Sequence, residues 1–497
     1  MTGGSDFLQL DGSRVRRGER TTWLAARLRA AIADGTLPLG ARLPATRVLA
    51  VELGFSRGTV SEAYRRLADE GLIEARAGAG STVAARPGGP PPAAAGRAGS
   101  SRAITTPTGS PVETGGGPGG PSVIDLAAGL PDLASFPRAA WLRAERSVLA
   151  TASARQLGYG PPQGVPELRE QLAAWLGRSR GVVAAPDRIV VTSGVSGALS
   201  LLAQVLRDRG VDAVALEDPG AEGNRTVLGQ WLPRLPPVAV DEHGLDTAAL
   251  ARSGAGAVLV TPAHQYPTGV VLSPARRRSL LAWAASRDGL VIEDDYDAEY
   301  RYDRAPVRAV QPLSPQTVAY TASVSKTLAP GLRLGWLVPP DHLREPLVRL
   351  RWASDLGSPV LPQLTLARLL AEGVLERHLR AMRARHRARR DAVVAALRRW
   401  LPDCPVLGVA AGLHVLVLLP TGQDDAEIAG RARAHGVLVR PLSRHRVAPG
   451  RPGLVVNYAG HHPERLDAAV GVLARVIDRS RRRPAGPRIA VRRPPPP

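Results

Sequence analysis

Lys326 is the only lysine among the 65 Lys and Arg residues of this 497-residue chain. An arginine guanidinium stays protonated, whereas a lysine amine can lose its proton and attack a carbonyl. Arginine serves equally well for solubility. An amine kept at one position therefore points to Schiff-base chemistry, against the alternative of chance survival in an arginine-biased composition. The neighbours decide. Lys326 lies in Ser323-Val324-Ser325-Lys326-Thr327-Leu328-Ala329-Pro330-Gly331-Leu332-Arg333, which adds hydroxyls at Ser323 and Ser325 and a guanidinium fork at Arg333 for a phosphate. Upstream, the apolar run Val291-Ile292-Glu293-Asp294-Asp295-Tyr296 ends in acids. A carboxylate at Asp294 beside a pyridine nitrogen keeps it protonated and makes the ring an electron sink. Tyr296 would hydrogen-bond the ring's phenolic oxygen; a helix cap or a metal ligand is the other use of such acids. Further upstream, Thr192-Ser193-Gly194-Val195-Ser196-Gly197 reads as a strand-to-helix turn, and the backbone amides of Gly194, Val195 and Ser196 form a phosphate cradle. The order cradle, acid with tyrosine, lysine with arginine calls for pyridoxal 5'-phosphate (PLP). His264 reads as a polar residue lining this site. No second His or Cys lies near it at ligand spacing, and no metal is expected.

These residues need a scaffold. Short apolar strands at 188–192, 213–217, 257–261, 291–293, 318–320 and 333–338 alternate with helical segments, the pattern of an α/β domain with a largely parallel sheet over residues 122–478. A predicted helix over 375–391 carries arginines around several faces and reads as solvated. Residues 87–121 are rich in Pro and Gly and read as a linker, spanning roughly 30–35 Å as a coil. Residues 479–497 hold seven arginines and no acid, end in four prolines, and read as a disordered basic tail. The formal net charge of +21 favours polyanionic partners without proving nucleic-acid binding. The polar first residues lack the apolar core of a secretory signal, no apolar run is long enough for a membrane span, and the single Cys404 cannot form an internal disulfide. A cytoplasmic setting is expected.

Residues 1–19 read as an arm, and residues 20–86 as a small module of three helices and a hairpin. The first helix, over 22–33, has apolar positions Leu24, Leu28, Ala31 and Ile32 and stops at Gly35. The second, over 45–53, is closed by Gly54. Ser56 can cap the third, whose core positions are Val60, Ala63, Tyr64 and Leu67. Two strands, 72–76 and 81–84, then form a wing. A short helix, a tight turn and a third helix make a helix-turn-helix, so the module suits double-stranded DNA. At the start of the third helix Arg57 can pair bidentately with guanine, and Ser56 and Thr59 can bond phosphate oxygens. Arg42 and Arg47 flank the second helix, and Gly78 and Gly80 let the wing approach DNA closely.

Gly40-Ala41-Arg42-Leu43-Pro44-Ala45-Thr46-Arg47, Leu53-Gly54-Phe55-Ser56-Arg57-Gly58-Thr59-Val60 and Tyr64-Arg65-Arg66-Leu67 resemble the winged helix of the GntR family of bacterial transcription regulators. That resemblance implies DNA contacts by Arg47, Ser56, Arg57, Thr59 and Gly78, and a dimer on two half-sites. The second module resembles fold-type I aminotransferases. Thr261-Pro262-Ala263-His264-Gln265-Tyr266-Pro267-Thr268-Gly269, the run from Glu293 to Tyr300 and Ser325-Lys326-Thr327 are similar to the MocR subgroup, in which the two modules are fused. The resemblance implies a PLP-responsive regulator acting as a head-to-tail homodimer, with Tyr159 reaching the phosphate of the partner subunit's PLP. Three positions depart from the pattern. Ser196 stands for the usual Gln, Ala221 for a Tyr near the cofactor, and Val455 for the arginine that grips a substrate carboxylate; Arg440, Arg444 and Arg451 are the candidates to replace it.

Two functions stay open at this point. One is a DNA-binding regulator that holds PLP as a Schiff base and senses PLP or an amino-compound effector. The other is a working aminotransferase with an appended DNA-binding domain. A third, a pure DNA-binding protein with an inert scaffold, is disfavoured by intact Lys326, Asp294, Tyr296 and Arg333.

Overall fold

Alternating strand and helix patterns place the chain's apolar residues in separate cores, and the computed structural model shows two units, divided between residues 104 and 105. It describes residues 10, 12–13, 15–38, 40–70, 72–76, 80–84, 123–127, 129–302 and 307–481. The proposed linker and most of the basic tail lie outside these.

In the N-terminal unit, α1 (Arg20–Asp34), α2 (Thr46–Leu53) and α3 (Arg57–Asp69) precede the hairpin β1 (Ile73–Arg76) and β2 (Gly80–Val83). The 3.6-residue period of apolar side chains buries Leu24, Leu28, Ala31 and Ile32 of α1 against Val60, Ala63, Tyr64 and Leu67 of α3. Gly35 and Gly54 end α1 and α2 in the left-handed conformation that an L side chain resists. The Tyr64 hydroxyl donates to the Pro44 carbonyl at 2.8 Å and so ties α3 to the entry of α2. Arg29 of α1 pairs with Glu70 at the end of α3. At the wing, Arg42 pairs with Thr82 in a single antiparallel β-bridge.

The C-terminal unit opens with β3 (Ile124–Asp125), α4 (Arg138–Thr151) and α5 (Pro166–Arg180). Then follow β4 (Val190–Thr192), α6 (Val195–Asp208), β5 (Val214–Asp218), α7 (Glu222–Leu228), β6 (Pro237–Asp241), β7 (Gly244–Leu245), α8 (Thr247–Arg252), β8 (Ala257–Val260), α9 (Pro274–Arg287) and β9 (Leu290–Asp294). Next come β10 (Val318–Ser323), β11 (Gly335–Val338), α10 (Asp341–Asp355), α11 (Val360–Ala371) and α12 (Val374–Trp400). The remainder is β12 (Val406–Leu407), β13 (His414–Leu418), α13 (Asp425–Ala434), β14 (Val437–Leu438), β15 (Arg440–Pro441), β16 (Gly453–Asn457) and α14 (Pro463–Arg481).

The main sheet has the order β4-β11-β10-β9-β8-β5-β6-β7. Strands β10, β9, β8, β5 and β6 run parallel, and β11 lies antiparallel between β10 and β4. The largely parallel sheet expected from the sequence is therefore present, and its strands are apolar on both faces because helices cover both. A separate antiparallel sheet, β12-β13-β16-β15, was not legible as such. It packs with α12 and α14 into its own core around Leu397, Val415, Val456 and Leu473.

Two expectations change. The arginines of α12 are not simply solvated: Arg385 and Arg389 bind Asp132, Arg383 donates to the Glu299 carbonyl, and Arg390 is buried over the Tyr302 ring. They clamp the helix to the loops beside it. Helix α14 continues through residues 479–481, past the start at 479 that the sequence suggests for the tail. Substituting Tyr64→Phe should lower the stability of the N-terminal unit by about 1 kcal/mol through loss of one hydrogen bond. Thermal unfolding should show its transition moving down while that of the C-terminal unit stays in place.

Candidate functional site

In an α/β sheet, functional groups gather where the parallel strands end. Here β4 ends at Thr192, β5 at Asp218, β8 at Val260, β9 at Asp294 and β10 at Ser323. Strand alternation sorts the acids of β9. Glu293 and Asp295 face one way. Glu293 accepts from the backbone amides of Val310 and Gln311 at 2.9 Å, and Asp295 receives Arg180 at 2.6 Å and the Tyr320 hydroxyl at 2.7 Å. These are structural bonds. Asp294 faces the other way. Asn224, on the first turn of α7, donates to its Oδ2 at 3.1 Å, while its buried Oδ1 has no hydrogen-bond partner among the described residues. Burial pushes the Asp294 carboxyl up to about 7, with the neighbouring Asp295 and Asp297 adding to it and Asn224 and Lys326 opposing it.

Lys326 follows β10 and is half-buried. Its amine donates to the Gly129 carbonyl. Lost hydration lowers its pKa, against the opposing pull of Asp297 and Asp294, which favours the neutral, nucleophilic form.

The cradle is built by close backbone approach. Gly194 caps α6 at φ 82°, a conformation natural to glycine. A side chain there would reach the Arg333 guanidinium at 3.1 Å, and one on Gly335 would meet Gly194 Cα at 2.7 Å. Gly194, Val195 and Ser196 thus present the first turn of a 14-residue helix beside Arg333, which bonds the Ser193 carbonyl. The Ser323 hydroxyl accepts from the Ser325 amide at 3.3 Å, so both serines sit at the same strand end. This set fits PLP on three counts: a neutral-prone amine, a carboxylate oxygen with no protein partner, and a cradle that a Cβ would fill.

Three further groups converge that spacing did not reveal. His264 Nδ1 lies 3.0 Å from the Tyr296 hydroxyl and 3.0 Å from the Asp297 carboxylate, and the His414 ring is 5.2 Å away. The sequence argument that no second histidine approaches His264 is therefore corrected. The two were hidden because 150 residues of chain separate the strands that bring them together. His414 donates through Nε2 to the Pro267 carbonyl at 3.1 Å. Asn224 was also missed; only the turn after β5 places it.

Among the carboxylate candidates, Arg440 stands directly across from Val455 in the β15–β16 pairing. Its Nε donates to the Ala127 carbonyl at 2.8 Å, and its charge acts on Lys326. Arg444 is exposed and paired with Glu222, and Arg451 donates to the Leu419 carbonyl. Ala221 lines a small hollow with Asn224, Thr261 and Tyr266. Tyr159 is 91% exposed.

In the N-terminal unit, the Ser56 hydroxyl caps α3 by accepting from the Thr59 amide at 3.2 Å and is linked to the Thr59 hydroxyl at 2.9 Å. The Ser56 oxygen therefore serves the helix cap. Arg42, Arg47 and Arg57 are exposed and form no ion pair among the described residues, whereas Arg65 and Arg66 are held by Glu62. Gly78 lies outside the described residues.

Comparison with known proteins agrees with this division. Residues 21–83 match the family "Bacterial regulatory proteins, gntR family", and residues 121–473 match "Aminotransferase class I and II". The kynurenine aminotransferase of Pyrococcus horikoshii superposes with a TM-score of 0.67 at 27% identity, covering 72% of this chain and 91% of its own. LysN of Thermus thermophilus, solved with a phosphopyridoxyl-leucine, gives a TM-score of 0.65 at 28% identity, covering 72% and 92%. The fold and pocket are those of a PLP-binding, fold-type I aminotransferase-like domain joined to a DNA-binding winged helix. The probable rhizopine catabolism regulatory protein MocR of Rhizobium meliloti is 33% identical over 90% of this chain and 92% of its own. The pyridoxine biosynthesis regulator PdxR of Corynebacterium glutamicum is 33% identical over 92% and 95%. The chain belongs to the MocR subgroup of the GntR family of transcription regulators. Among the described residues no helix is long and apolar enough to cross a membrane.

Removing one member of a buried ion pair leaves an uncompensated charge. Arg180→Ala should therefore destabilise the C-terminal unit by about 3–5 kcal/mol. Denaturant unfolding checks this, and the same change at exposed Arg444 should cost under about 1 kcal/mol.

Proposed function

We propose that this chain is a transcription regulator whose C-terminal domain holds PLP at Lys326 and senses PLP or an amino-compound effector. The observation that carries this reading is the meeting of the Lys326 amine, the unpartnered Asp294 oxygen and the Gly194 cradle in a chain that also carries a winged helix. Bound there, PLP supplies an aldehyde that condenses with amines and a ring that draws electrons. The residues of the chain do the rest. The amides of Gly194, Val195 and Ser196, with Ser323, Ser325 and Arg333, hold the phosphate. Asp294 keeps a proton on the pyridine nitrogen, and Asn224 steadies that carboxylate. Tyr296 donates to the phenolic oxygen. Arg440 takes the carboxylate of an amino-acid effector, in place of an arginine at 455.

The winged helix reads duplex DNA through Arg57 at the start of α3, with Arg42 and Arg47 on flanking phosphates and the Thr59 and Gly78 regions close by. A homodimer would bind two half-sites. The exposed Tyr159 suits the contact to a partner subunit's phosphate site. Lys326 is bonded to the Gly129 carbonyl, close in sequence to β3 at the start of the C-terminal unit, so the ligand state of the amine is felt at that segment.

Footprinting on DNA upstream of the gene, with and without PLP and amino compounds, tests the reading. Wild-type protein should protect an inverted or direct pair of half-sites in a ligand-dependent way. Lys326→Ala should lose the visible absorbance of bound PLP and the ligand response while still binding DNA. Sustained keto-acid-dependent turnover would instead favour the aminotransferase reading.

A pH dependence follows from Asp294. In the free protein its carboxyl is raised to about 7 by burial. Pairing with a pyridinium requires the carboxylate, so uptake below that pH releases a proton. PLP affinity should be full above pH about 7 and fall below it, by at most about tenfold per unit from this group. Equilibrium titration should show that slope reduced by about one proton in Asp294→Asn.

A further inference from the structure

The Tyr296 hydroxyl is the group said above to donate to the cofactor, and this inference rests on that reading. A hydroxyl has one proton, and an acceptor on the protein side would divert it. The neighbour within reach is His264 Nδ1, at 3.0 Å. That same nitrogen is 3.0 and 3.2 Å from the two oxygens of Asp297. Both side chains are buried, His264 at 2% and Asp297 at 1% exposure.

The geometry fixes the tautomer. With Nδ1 bare, its lone pair would face a carboxylate and no hydrogen bond would form; with Nδ1 protonated, it donates to Asp297. The Nδ1–H form leaves Nε2 as a bare acceptor, and Nε2 is the ring atom that is buried with no partner among the described residues. Bare acceptors are tolerated in a core more readily than bare donors. His414, the other ring against His264, is held neutral by burial and spends its proton on the Pro267 carbonyl, so it does not compete.

We propose that Asp297 and His264 are positioning residues for Tyr296: the buried carboxylate holds the imidazole as its Nδ1–H tautomer, which offers Tyr296 no acceptor, so the tyrosine proton is directed at the phenolic oxygen of the cofactor. Neither residue touches the cofactor in this scheme. The charged and titratable groups around Tyr296 and Lys326 are Asp294, Asp297, Glu217, Tyr266 and Arg440.

The test is the spectral pH titration of the Schiff base between PLP and Lys326 in full-length protein. A donor on the phenolic oxygen weakens that oxygen's hold on the Schiff-base proton. Tyr296→Phe should therefore raise the titration midpoint, by about tenfold in the proton equilibrium, or one pH unit. Asp297→Asn should raise it in the same direction, because a neutral amide no longer compels a proton on Nδ1, and a bare Nδ1 accepts from Tyr296. In the Tyr296→Phe background, Asp297→Asn should raise it no further. The rival explanation has the opposite sign: if the Asp297 charge acts straight on the Lys326 nitrogen, removing it lowers the midpoint in both backgrounds.

His264→Leu against His264→Asn repeats the test should Asp297→Asn fail to fold. Leu, like the Nδ1–H tautomer, offers Tyr296 no acceptor and should leave the midpoint within about twofold, whereas Asn can turn its N–H to Asp297 and its Oδ1 to Tyr296 and should raise the midpoint towards that of Tyr296→Phe. A fall in Asp297→Asn, equal rises with and without Tyr296, or equal shifts in the two His264 variants would overturn the relay. Wild-type protein that takes up no PLP overturns the functional reading as well; uptake with unshifted variants overturns the relay alone.

Discussion

Burying carboxylates without partners is prohibitive, and the end of β9 buries four within five residues: Glu293, Asp294, Asp295 and Asp297. The site exists because the strand sorts them. Alternation turns Glu293 and Asp295 towards Arg180, Tyr320 and two backbone amides, where they are fully engaged. The same alternation turns Asp294 towards Lys326 with one oxygen unmatched. A single run of acids thus supplies both the anchoring of the sheet to α5 and the reactive face of the pocket. A register shift of one residue would exchange the two roles and lose both.

Much of this was legible in the sequence because chemistry-bearing residues of the pocket come in short contiguous runs. Gly194 to Ser196, Asp294 with Tyr296, and Ser323 through Arg333 each sit at one strand end, so local pattern was enough to place them. The winged helix was legible for the same reason: its core positions Leu24, Leu28, Val60 and Tyr64 recur at the helical period, and all are buried. Groups contributed by distant chain were not legible. Asn224 reaches Asp294 across 70 residues, and His414 approaches His264 only because β13 of the second sheet is folded against the main one. The arginines of α12 were read as solvated because their partners, Asp132 and the Glu299 carbonyl, lie far off in sequence.

The departures from the aminotransferase pattern gain a physical account from the second sheet. Val455 is fully buried in β16 among Leu416 and Leu442, where a guanidinium would lack partners. Its neighbour across the pairing, Arg440, carries the charge, and Ala127 fixes its orientation. The positive charge is thus still available to the pocket from one strand over, although the position in sequence has changed. Ala221 leaves a small hollow bounded by Asn224 and Tyr266.

The Gly129 carbonyl accepts a hydrogen bond from the amine of Lys326, and Asp132, three residues on, is gripped by Arg385 and Arg389. Asn457 and Arg440 hold the carbonyls of Leu126 and Ala127, so the bond at Gly129 is the one that chemistry at Lys326 can alter. An amine that has exchanged hydrogens for a carbon bond has fewer to offer a carbonyl. The bonds at Leu126, Ala127 and Asp132 would remain, so the change is felt at a single carbonyl between two fixed anchorages.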